Sequence, residues 1–155
     1  MKETQDFAVV ALTELKWPTI LNLPTNRFRL FVAADVSELS ADALADFARA
    51  ALRGGMVYFC AWGRDCEKFH DIVDEVIAND CTGERQFIGP TAKDTVMTTW
   101  HDDETLEEAL DFFATSAIPT EGLMPNSNYR LAICVRNPTW SAKARQSLES
   151  AEFLG

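Results

Sequence analysis

Long apolar runs are missing from this 155-residue chain. A membrane-spanning helix needs about 18 to 20 uninterrupted apolar residues, and no window approaches that length, so no spanning segment is expected. Positive charge is scarce as well: 14 basic residues against 24 acidic ones leave a formal net charge of −10. Such a surface repels phosphate backbones and anionic headgroups. Nucleic acid and membranes are therefore not expected as partners, whereas a basic protein or a metal cation is compatible.

Only seven glycines occur, and none forms a phosphate-cradling turn. After the first clear strand comes Asp35-Val36-Ser37-Glu38, where a dinucleotide site would need glycines. P-loop and Gly-x-Ser-x-Gly patterns are absent too. The four cysteines, Cys60, Cys66, Cys81 and Cys134, include no C-x2-C pair. Cys66 and His70 share a helical face and could take Cys60 or Cys81 into a zinc site, but without a paired element no metal is expected. No cofactor is implied either. The opening Met1-Lys2-Glu3-Thr4-Gln5-Asp6 is too polar for a secretory signal, so a cytoplasmic location with free, buried thiols is the expectation.

What is present is a hydrophobic content of 47%, enough for one α/β domain over residues 1–155, with 1–27 as an extension packed on it. Apolar runs alternate with amphipathic stretches. Phe28–Ala34, Val57–Ala61, Thr95–Thr99 and Tyr129–Val135 read as strands. Ser40 caps a helix with Leu44, Phe47, Ala48, Ala51 and Leu52 on its inner face, and Gly54-Gly55 ends it. Asp65 caps a second helix carrying Phe69, Val73, Val76 and Ile77. A third has Leu106, Ala109, Leu110 and Phe113 inward, and a short fourth runs from Ser141 to Glu149. Residues 7–17 read as a helix, with an added strand as the alternative; 81–94 and 118–128 read as loops. The alternation predicts a small doubly wound, Rossmann-like domain with a mostly parallel four-stranded sheet. The expected order, numbering those four strands along the chain, is 2-1-3-4.

In such a sheet ligands sit beyond the carboxyl ends of the strands. Those ends carry Asp35, the turn Trp62-Gly63-Arg64-Asp65-Cys66, the turn Trp100-His101-Asp102-Asp103-Glu104, and Arg136-Asn137. Cys66 at a helix N-terminus could be a nucleophile with His101 as its base and Asp35 nearby. A packed thiol and a structural histidine are the plain alternative. Trp62, Cys66, Trp100 and His101 are expected to cluster, with Gly63, Glu104 and Arg136 contributing to binding. Asp102, Asp103 and Glu104 read as the acidic first turn of the third helix, and Glu107, Glu108 and Asp111 as its solvated face. The alternatives for these carboxylates are a Mg²⁺ site shared with Asp35 or a dock for a basic partner.

The pairing of Ala61-Trp62-Gly63-x-x-Cys66 with Val96-Met97-Thr98-Thr99-Trp100-His101-x-x-Glu104, ahead of Leu106-Glu107-Glu108, resembles an uncharacterised family of small bacterial proteins, a domain of unknown function. The likeness spans roughly residues 28–135. It implies a bacterial source and a shared fold, and no activity. The expected function is therefore binding of a small ligand or protein partner at the carboxyl edge of the sheet. A Cys/His hydrolase or transferase, or an acidic immunity-like protein that neutralises a basic target, stands as the alternative.

Overall fold

The computed structural model describes residues 6–18, 21–80 and 95–154. Five strands, β1 (Phe7–Leu12), β2 (Phe28–Ala33), β3 (Met56–Trp62), β4 (Met97–Trp100) and β5 (Arg130–Val135), form one sheet. Every pairing in it is parallel. Four helices accompany them: α1 (Ala41–Gly54), α2 (Cys66–Asp80), α3 (Leu106–Thr115) and α4 (Pro138–Leu154). The α/β class and the parallel sheet are as expected. The loop expected over 81–94 lies outside the described residues.

Three expectations need correction. The sheet has a fifth strand, because Phe7–Leu12 is β1 at the sheet edge rather than a helix. A short continuous apolar run has no period that separates a buried strand from a buried helix, and pairing with β5 decides. The order is β1-β5-β2-β3-β4, so the chain steps outward from β2 to β3 and β4, then returns past β2. The strand over Val57–Ala61 therefore lies between the other two early strands, and the expected 2-1-3-4 order does not occur. Lastly, α3 begins after Asp102–Glu104: Thr105 caps it in a reciprocal box with Glu108, whose carboxylate accepts from the Thr105 N–H at 2.9 Å. Glu108 is thus part of the cap, and Glu107 pairs with Lys143 of α4. Glu107, Glu108 and Asp111 are all exposed, as expected of a solvated face.

Alternation along each strand divides the core in two. Leu30 and Val32 of β2, Phe59 and Ala61 of β3, and Leu131 and Ile133 of β5 face α1 and α2, where Phe47, Leu52, Phe69 and Val73 meet them. Phe31, Ala33, Tyr58, Cys60, Ala132 and Cys134 face α3 and α4, against Leu110, Phe113, Ala144 and Leu148. Connections running outward along the sheet place helices on one face, and the returning one places them on the other, as right-handed crossovers require. The order reverses between β2 and β5. There the two chains leave toward opposite faces and open a crevice beyond the strand ends.

Candidate ligand site at the switch point

At that crevice a cavity of about 350 Å³ is lined by Asp35, Trp62, Gly63, Arg64, His101, Asp102, Glu104 and Trp140. A second hollow, sharing Asp35 and Trp140, continues past Arg136 and Asn137. Each residue arrives there for a local reason. Trp62 ends β3 with the parity of Tyr58 and Cys60, so its indole leans toward α3 and donates from Nε1 to the Glu104 carbonyl at 3.0 Å. Trp140 sits in the first turn of α4, where the Asn137 side chain accepts from the Thr139 and Trp140 N–H groups and Pro138 fits the first helical position. The two indoles pack edge to face, centroids 5.1 Å apart and planes at 89°.

His101 follows β4 with the parity of Thr99 and is buried under α3 against Phe112. Both ring nitrogens are engaged: Nδ1 lies 3.0 Å from Glu104 Oε1, and Nε2 lies 2.9 Å from Thr99 Oγ1, which in turn reaches the Cys60 thiol at 3.5 Å. Asp35 is exposed, and its Oδ1 accepts from the Ser37 hydroxyl and N–H. Those bonds first, and the nearby Arg64 and Arg136 second, hold its carboxyl below the ordinary value, so it is anionic at neutral pH.

The backbone at this edge is unusual. Gly63, Asp65 and Arg136 all have positive φ, at 120°, 64° and 66°. Two of them are not glycine, and such outliers collect where a site is held in shape. Arg136 is itself fixed by its Nε donating to the Thr13 carbonyl at 3.0 Å.

Of the residues expected from sequence, Asp35, Trp62, Gly63, His101 and Glu104 share the cavity, and Arg136 lines its continuation. Two do not join them. Trp100 has the opposite parity to His101 and stacks on His70 of α2, ring centroids 4.4 Å apart. Cys66 packs with the α1 and α2 layer and lines a neighbouring hollow with Asp65, Lys68 and Asp71 that shares Asp102 with the cavity. The Trp62 and His101 rings lie on the α3 side and Trp100 on the α2 side, while the Cys66 thiol, in the α2 layer, lies against the His101 backbone. Trp140 was missed by the sequence reading. Its signal was available three residues beyond Asn137, where an Asn-Pro helix start follows a strand end.

Burial pushes the Cys66 thiol up, despite backbone contacts with His101 and Gly63 that pull it down. Burial also pushes Cys60 up to about 12 and Cys134 up to about 11. These thiols stay protonated in the folded chain where unfolded ones ionise, near the ordinary value of 9.0. Stability is accordingly full below that value and falls as pH rises through it toward the folded values. Cys60 alone should remove about 1 kcal/mol by about pH 10. Urea midpoints at about pH 8 and about pH 10 should show that decline, with a shallower slope in Cys60→Ala; a flat profile would count against it. Iodoacetamide should likewise spare all three until urea unfolds the chain.

Among the described residues no three His, Cys, Asp or Glu side chains are grouped to hold a metal ion, and no helix is long and apolar enough to cross a membrane. Residues 9–149 match a family described as a domain of unknown function, DUF7684. The chain belongs to that family. The match takes in both motif segments and all the cavity residues. No curated protein and no solved structure matches the chain.

Proposed function

We propose that this family member binds a small ligand in the cavity lined by Trp62 and Trp140, at the reversal point of its sheet. The observation that carries the reading is the convergence there of two indoles from separate elements with Asp35, Arg64 and the His101–Glu104 pair. Concave sites of a few hundred Å³ with apolar walls and a few fixed polar groups are where doubly wound domains take ligands. Cys66 as nucleophile with His101 as its base is disfavoured by the same geometry. That thiol sits in the other layer with its ionisation suppressed, and the imidazole nitrogens already have partners.

A stability screen against small neutral, cationic and anionic compounds tests the proposal. A ligand present at about 100 times its Kd stabilises by about 2.7 kcal/mol, which for a domain of this size raises Tm by roughly 5 to 10 °C. That gain should vanish in Trp140→Ala. Binders that stabilise the wild type and Trp140→Ala equally would place the ligand elsewhere and refute the proposal.

A further inference from the structure

The polar groups of the cavity are unevenly spent. Its neutral donors are committed within the protein: the Trp62 N–H goes to the Glu104 carbonyl, and the two His101 nitrogens, one donor and one acceptor in the neutral ring, pair with Thr99 and Glu104. Acceptors are left over. Asp35 uses only Oδ1 on Ser37, Asp102 adds a second carboxylate and Glu104, whose Oε1 meets His101, a third, against Arg64 in the cavity and Arg136 beside it. An anion entering here would meet few donors and a surplus of like charge. A cation would meet the reverse.

The walls favour the same charge. Trp62 and Trp140 meet edge to face, and both indoles line the cavity beside its carboxylates. The negative face of an indole attracts a positive centre, most strongly a weakly hydrated one such as an alkylated ammonium, which loses little solvation on leaving water. Resting on the ligand-site reading above, we infer that the cavity is selective for an organic ammonium cation, held against the indoles of Trp62 and Trp140 that line it, with the Asp35, Asp102 and Glu104 carboxylates as its counter-charge.

Choline and its neutral isostere 3,3-dimethyl-1-butanol have nearly the same shape and differ in charge, so titrating both against tryptophan fluorescence isolates the inferred term. Choline should give a saturable change below about 50 mM, with the isostere at least about tenfold weaker. Trp140→Ala should lose the choline response. Asp35→Asn, at an exposed position, should keep the fold and weaken it several-fold. Equal binding of the isostere, preferential binding of acetate, no choline response, or an unchanged response in Trp140→Ala would each overturn the inference. In the first two cases, a response lost in Trp140→Ala would leave the ligand site standing with another ligand class.

Discussion

Replacing Gly63 with alanine should destabilise the protein by about 3 to 5 kcal/mol, or prevent folding altogether. Gly63 adopts φ +120°, and a Cβ built on it would lie 2.1 Å from the Ala34 carbonyl oxygen and 2.9 Å from its carbon. Backbone cannot rotate away as a flexible side chain can. The approach is fixed on both sides, because the Ala34 N–H donates to the Trp62 carbonyl at 3.0 Å and the Val36 N–H to the Arg64 carbonyl at 3.1 Å. Making room for one methyl group would part the exits of β2 and β3 and displace Trp62 and Arg64 with them. Gly54 is the matched control: its added Cβ would come no closer than 3.4 Å, to the Trp17 side chain, and its position is helical. Gly54→Ala should be neutral or stabilising by up to about 1 kcal/mol. Urea unfolding of the two variants gives the contrast, and a loss below about 1 kcal/mol for Gly63→Ala would mean the close approach is not a constraint.

Phe113→Ala should cost about 3 to 5 kcal/mol, through lost burial and the cavity left behind. Phe113 is fully buried beneath the sheet, 5.4 Å from the Phe31 ring, among Leu110, Ala109 and Leu106. Small neighbours such as Ala109, Ala132 and Ala144 cannot reach in to fill the space. The same helix presses Phe112 on the His101 ring, so its loosening should also disturb the cavity wall. Urea midpoints measure the first effect. A loss under about 2 kcal/mol would show that α3 can settle onto the sheet, contrary to the packing described.

That helix is also a fair measure of how far the sequence could be read. The spacing of Leu106, Ala109, Leu110 and Phe113 announces an inward face, and the structure buries all four. Ser40 and Gly55 cap and end α1 as their chemistry suggests, with the Ser40 hydroxyl accepting from the Ala43 N–H. Such features are local, and local energies set them. Strand order is not local. Nothing in Arg130–Val135 itself says that this strand will slide between β1 and β2; the long return from β4 decides it. For the candidate site the residue types were legible, while their grouping hung on parity. Trp100 and His101 are neighbours in sequence, and a strand sends neighbours to opposite faces, one to His70 and the other to Glu104. The sequence pattern ends this strand at Thr99, whereas it runs on to Trp100, where the alternation separates the two side chains. The acidic run at 102–104 misled for a related reason, since a hydroxyl at Thr105 competes for the cap and its box with Glu108 wins it.

The most direct test of the switch-point site uses the four tryptophans as reporters. Each indole N–H gives one signal in a nitrogen-correlated NMR spectrum, assignable by single Trp→Phe replacements. Titration with the strongest stabiliser from the screen should move the signals of Trp62 and Trp140, and the Gly63 amide with them, while Trp17, packed on Phe28 and Phe47, and Trp100, stacked on His70, stay in place. Movement at Trp17 or Trp100 with Trp62 and Trp140 unchanged would contradict it.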